Sequence, residues 1–101
     1  MSKYHAYLKS EAWRRRRAEA RRRARGRCRI CGVTENLHTH HKTYKNLGNE
    51  RPADLVVLCA SHHQGVHDFI AEWKAKGWKH KHPYTLTMKY IAREKKKRRK
   101  M

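Results

Sequence analysis

The chain has 101 residues, 38% hydrophobic and 35% charged; against soluble averages of roughly 45–50% and 25%, this predicts one small domain and excludes a large apolar core. Its 27 Lys and Arg against 8 Asp and Glu give a net charge of +19, which points to a polyanionic partner, nucleic acid first. No stretch approaches the roughly 18 apolar residues of a membrane span, and the N-terminus has no apolar core of a secretory signal, so the expected setting is the reducing cytoplasm, with no membrane partner and no disulfides.

The basic residues concentrate at the ends. Nine arginines lie within 14–27 and seven Lys or Arg within 93–100, whereas 28–92 carries nine against five acids. A single domain is expected, with a basic N-terminal helix in 1–27, a core in 28–77 and a basic extension in 78–101. Ser10 before Glu11 predicts a helix start, because the hydroxyl can accept an orphan backbone N–H and the carboxylate suits the positive end of the dipole. Gly26 predicts its stop. Around that helix Arg14, Arg15, Arg17, Arg21 and Arg22 point in every direction, leaving Trp13 and scattered alanines to bury. Like charges this dense repel until something neutralises them, which favours phosphate contact over a merely solvated helix.

Further along, Leu37–His41 reads as a short strand and 42–53, with Asn46, Gly48, Asn49 and Pro52, as a loop. A second strand is predicted over 54–58 from the run Leu55, Val56, Val57, Leu58. A helix follows from Cys59 to about Lys76, with Val66, Phe69, Ile70 and Trp73 on one side and Gly77 at its end. Past Pro83 another helix places Tyr84, Met88 and Ile91 in register before dissolving into 93–100, a tail expected to be disordered when free.

Two groups of residues carry chemistry. Cys28-Arg-Ile-Cys31 is followed, 28 residues after its last cysteine, by Cys59-Ala-Ser-His62. Two residues between ligands let one tight turn present both side chains to a single tetrahedral ion, so these four are candidate ligands of a structural Zn²⁺, whose binding contributes on the order of 10 kcal/mol to folding. The alternatives are unrelated free thiols or a thioredoxin-like redox pair, which would need a βαβ context the pattern lacks. The second group is His40-His41 at the end of the first strand with His63 and His67 on the later helix. At about 100° per residue His63 and His67 lie about 40° apart on one face, turned away from Cys59 and His62, so that helix can serve two metals from two sides. Adjacent strand residues point oppositely, so one of His40 and His41 can ligate while the other stands by as a base. Read blandly, these are ordinary histidines or a spare ligand for the knuckle; four of them paired at strand end and helix face favour a site.

The stretch 7–69 resembles the HNH endonucleases. The matching pieces are Tyr7-Leu8-Lys9-Ser10 with Trp13, Cys28-x-x-Cys31-Gly32, Leu37-His38-Thr39-His40-His41, Thr43-Tyr44 with Leu47-Gly48-Asn49-Glu50, the run from Asp54 to Cys59, and His62-His63 with His67. The resemblance implies a small α+β fold with a ββα-metal hairpin-and-helix core, and a metal-dependent endonuclease that nicks or cuts double-stranded DNA. It implies His40 as first ligand of a catalytic divalent cation (Mg²⁺, Mn²⁺, Ni²⁺ or Zn²⁺), His41 as general base, His63 as the final letter and a ligand, and His67 as the additional ligand of the colicin-type nucleases. Asp54 takes the position of the middle letter, nine residues before His63, where asparagine is usual, and is assigned to the catalytic set; His62 stands where cysteine is usual.

The resemblance also implies cleavage to 5′-phosphate and 3′-hydroxyl ends, and a bacterial or phage setting, where such proteins serve packaging, homing and defence. A nearby cation in a basic protein disfavours protonated imidazole and so suits a base at His41. Lys42 and Lys45 in the loop and Arg98 and Arg99 in the tail are expected to touch phosphate. His38 shares the strand face of His40 and either assists or belongs to the surface, and His80 and His82 read as basic surface. The competing expectations are a non-catalytic zinc-stabilised nucleic-acid-binding module and a ribosome-associated RNA binder.

Overall fold

A computed structural model describes residues 3–77 and 83–99; His80 and His82 lie outside the described residues. The protein is a small α+β structure in which helices surround a two-stranded antiparallel sheet. Among the described residues no helix is long and apolar enough to cross a membrane.

The N-terminal part holds α1 (Lys3–Leu8), unanticipated from the sequence, and α2 (Glu11–Arg23). Ser10 joins them: its hydroxyl accepts the Trp13 backbone N–H at 3.2 Å and donates to the Tyr7 carbonyl at 2.6 Å. The second helix ends three residues before Gly26, whose positive φ lets its N–H reach back to the Arg21 carbonyl at 2.9 Å. Only Trp13 is buried on α2, as its arginine-rich sequence requires.

Strand β1 (Leu37–His41) pairs with β2 (Leu55–Cys59), from Leu37 opposite Cys59 to His41 opposite Leu55. Asp54, expected to open the second strand, instead closes a 3-10 turn over Pro52–Asp54. All five residues of β2 are buried because helices pack on both faces of the sheet, which is why it reads as a continuous apolar run. Helix α3 (Ala60–Ala75) follows directly. Its predicted apolar side is the observed one: Val66 and Phe69 are buried, and Ile70 and Trp73 pack against the same core.

Helix α4 (Pro83–Arg99) departs from expectation in face and extent. Leu86, Thr87, Tyr90 and Ile91 are its buried residues, while Tyr84 and Met88 are exposed. The helix continues through the basic tail to Arg99. Lys and Arg are good helix formers, no Gly or Pro interrupts them, and cations in the last turn face the negative end of the dipole; Glu94 also pairs with Lys97 one turn on, at 3.1 Å.

Helices α3 and α4 cross where α3 has no side chain. A Cβ on Gly65 would overlap the Tyr90 hydroxyl, and the Tyr90 ring is held by Phe69 and by the Arg93 guanidinium over its face. Gly65→Ala should therefore lose more through overpacking than the about 1 kcal/mol it gains in helix propensity. Thermal unfolding should show a midpoint lowered by about 4–8 °C; a raised midpoint would show that Tyr90 moves aside freely.

Candidate functional site

The two clusters expected from spacing form on opposite sides of the start of α3. Cys28, Cys31, Cys59 and His62 bring their ligand atoms within 4.8 Å of one another. Cys31 Sγ and Cys59 Sγ are 3.8 Å apart, and His62 Nδ1 lies 3.3 Å from Cys59 Sγ and 3.7 Å from Cys28 Sγ. With Zn–S of about 2.3 Å and Zn–N of about 2.0–2.1 Å, a tetrahedron has edges of about 3.8 Å (S–S) and about 3.6 Å (S–N). The cluster can therefore hold a structural metal such as zinc. Burial pushes the Cys28 thiol up, but backbone N–H donors at Cys31, Cys59 and Ile30 outweigh it and bring it down to about 6, towards the thiolate that a metal requires.

His40, His63 and His67 form the second cluster, with ligand atoms within 4.8 Å of one another. The rings of His63 and His67, one helical turn apart on α3, bring their Nε2 atoms to 3.1 Å. Two of the three imidazoles, His40 and His63, also have a partner outside the cluster. His40 Nε2 lies 3.2 Å from the Thr87 hydroxyl on α4, which is fully buried. His63 Nδ1 lies 2.8 Å from His38 Nδ1, so His38, on the same strand face as His40, does meet the cluster. Burial first, then the neighbouring imidazoles, push His40 down to about 3 and His63 down to about 4. Neutral imidazole is the form that binds cations, and an outer partner for the second ring nitrogen is the usual companion of a ligating histidine.

His41 sits on the other face of β1, as strand alternation demands. Its ring is stacked between Trp13 (4.6 Å between centroids) and Tyr44 (5.2 Å). Its Nε2 meets Glu50 Oε2 at 2.7 Å. Glu50 closes the loop after β1, its side chain wholly buried, and its other oxygen accepts the Tyr7 hydroxyl at 2.6 Å. Burial alone would raise this carboxyl; the hydrogen bonds from Tyr7 and His41 outweigh that and keep it low. A cleft of about 330 Å³ reaches both faces, with His40, His41, His63 and His67 in its wall and Arg17 and Arg21 at its side.

Asp54 stands apart from the histidines. Its Oδ2 accepts the Arg51 backbone N–H and the Asn46 amide, each at 2.9 Å, and its Oδ1 pairs with the Arg51 guanidinium at 3.4 Å. Its carboxylate staples the 42–53 loop to the start of β2. Arg14, Arg15, Arg17, Arg21 and Arg22 are exposed along α2, and Lys45, Arg98 and Arg99 are exposed as well. Lys42 is half-buried with its ammonium 5.2 Å from the Tyr84 ring.

Sequence reasoning passed over Glu50 as a working group, together with Tyr7, Thr87 and Arg16, whose guanidinium donates to the Glu50 carbonyl at 2.8 Å. The one available signal was a lone acid in the basic, polar loop that returns towards the strand end. No known family, curated protein or solved structure matches the chain.

Two measurements test the clusters separately. Cys28→Ser should abolish the tightly bound zinc and the cooperativity of unfolding; one retained zinc per chain with parental melting would remove the assignment. His38→Ala should keep that zinc yet bind Ni²⁺ or Mn²⁺ at the histidine cluster about 10–100-fold more weakly in calorimetric titration, the usual effect of removing an outer partner.

Proposed function

We propose that the protein is a metal-dependent endonuclease of the HNH kind, with a ββα-metal core, that hydrolyses phosphodiester bonds of double-stranded DNA. The observation that carries this reading is the meeting of His40 from β1 with His63 and His67 from α3, while the neighbouring His41 stays outside that cluster, paired with Glu50 and open to the same cleft. A cation ligand set beside an imidazole that is not part of it is what hydrolysis of a phosphodiester needs. The separate Cys₃His cluster leaves the histidines free of a structural duty.

In this reading His41 takes a proton from a water molecule. The hydroxide formed attacks phosphorus in line, the phosphorus–O3′ bond breaks with its electron pair going to O3′, and that oxygen takes a proton from solvent. The products carry a 5′-phosphate and a 3′-hydroxyl. A divalent cation held by His40, His63 and His67 would supply positive charge to the phosphoryl and leaving oxygens. The exposed arginines of α2 and the basic end of α4 neutralise phosphates without reading sequence.

Supercoiled plasmid incubated with the zinc-loaded protein and Mg²⁺, Mn²⁺, Ni²⁺ or Zn²⁺ tests the proposal. Because His41 is buried against Glu50, His41→Gln is the informative variant: it keeps a donor for the carboxylate and removes the base. Cleavage should fall by about 10²–10⁴-fold while the fold, the zinc and DNA affinity persist, whereas His63→Ala should lose the second cation together with activity. Equal cutting by the parent and His41→Gln, purified identically, would discredit the base. A parent that cuts neither duplex nor single-stranded DNA with any of the four metals would leave a zinc-stabilised nucleic-acid-binding module.

A further inference from the structure

The basic arms were expected to do one thing, touch phosphate. One arginine of α2 does something else. Arg16 turns inward, donating to the carbonyls of Glu50 at 2.8 Å and Gly48 at 3.4 Å and to Asn49 Oδ1 at 3.3 Å. Its Nε lies 3.4 Å from Glu50 Oε1, the oxygen that also accepts the Tyr7 hydroxyl. The two carboxylate oxygens thus have different surroundings. Oε1 faces a cation and a hydroxyl supplied by the N-terminal helices, and Oε2 faces His41 Nε2, at 2.7 Å.

An ionised carboxylate can only accept, so the ring nitrogen facing it must carry the proton. Neutral His41 is then the Nε2–H tautomer, with its lone pair at Nδ1. Stacking between Trp13 and Tyr44 fixes the plane of the ring, and the carboxylate fixes which edge points away from it.

We infer that Glu50, held by Tyr7 and Arg16, is the positioning residue of His41: it selects the tautomer whose Nδ1 is free to take a proton, and its charge balances the imidazolium once that proton has arrived. The inference rests on the reading of His41 as base. The helices α1 and α2 therefore complete the base as well as carrying charge. The proton accounting is closed within the pair: Nδ1 gains the proton lost by water, Nε2 keeps its own, Glu50 stays ionised throughout, and Nδ1 returns the proton to solvent before the next turnover.

Glu50→Gln reverses the hydrogen bond to His41. Arg16 and the Tyr7 hydroxyl draw the amide oxygen to the Oε1 side, which turns the amide NH₂ towards His41. A donor in that place forces Nε2 to accept, and the proton moves to Nδ1, where it blocks the base. The corresponding carboxylate-to-amide change beside the histidine of a serine protease, which leaves the geometry intact but the tautomer wrong, costs about 10⁴-fold in kcat.

The test reads the tautomer directly. Zinc-loaded full-length protein labelled with ¹⁵N in histidine is observed by long-range ¹H–¹⁵N correlation at neutral pH, with the His41 signals identified by their loss in His41→Gln. The parent should show a protonated Nε2 and a bare Nδ1, and Glu50→Gln, with parental zinc content and cooperative melting, should show the reverse. On plasmid the variant should lose about 10²–10⁴-fold in kcat at an unchanged KM. A parent with the proton on Nδ1 overturns the inference whether or not the variant folds, as does a Glu50→Gln protein that keeps the parental tautomer or the parental kcat. A parent that shows the expected tautomer but cuts no DNA leaves Glu50 as the group that sets His41 and removes the nuclease reading instead.

Discussion

Three sulfur atoms and one imidazole nitrogen, within 4.8 Å of one another, set the terms on which this chain can fold. Two come from the turn at Cys28 and Cys31, two from the junction of β2 with α3, so the cluster closes a long loop that contains β1 and all of its connection. A cation taken up by this cluster would bind both segments at once and so favour the folded arrangement. With net charge +19 and a modest set of buried apolar residues, a fold of this size has little else to set against self-repulsion. The core around Leu58, Val66 and Leu86 is built directly on the cysteines, so the apolar packing and the sulfur cluster are two sides of one body.

From that anchor the functional arrangement follows from the geometry of a strand. Successive side chains of β1 leave on opposite faces. His38 and His40 meet α3, and His41 meets Trp13 of α2. The sheet thereby keeps the candidate ligands apart from the candidate base, although the two are neighbours in sequence. A base that drifted into the ligand cluster would lose its lone pair to the cation, and the strand prevents this by stereochemistry alone.

Much of this was legible in the residues. The bounds of β1 and the apolar side of α3 follow from local patterning, and the pairs Cys28/Cys31, Cys59/His62 and His63/His67 from ligand spacing, because each depends on residues close in sequence. Apart from the His41–Glu50 pair, nine positions apart across the loop, what escaped depends on partners far apart. Tyr7 meets Glu50 across 43 positions and His40 meets Thr87 across 47, and no spacing rule reports such encounters. The face of α4 was misread for a related reason: Tyr84, Met88 and Ile91 keep helical register as well as the buried residues do, and only the crossing at Gly65 decides which stripe turns inward. Asp54, assigned by position to the catalytic set, has its carboxylate engaged by Arg51 and Asn46, and the pattern that singled it out did not report those partners.

The N-terminal helices hold on to the rest of the molecule by very little apolar surface. Helix α1 buries no residue and α2 buries only Trp13; the other contacts include the polar group around Glu50, the Arg21 hydrogen bond to the Leu37 carbonyl, and the Tyr4 ring against His41 and Tyr44. Segments with few buried apolar contacts are those that open at the lowest free energy in the native state. Opening of this pair lifts Trp13, Tyr7 and Arg16 away from His41 and Glu50 but leaves the cysteine cluster, the hairpin and the three converging histidines in place. The orientation of His41 therefore depends on the part of the fold with the least buried apolar surface, which neither of the two candidate metal clusters holds in place.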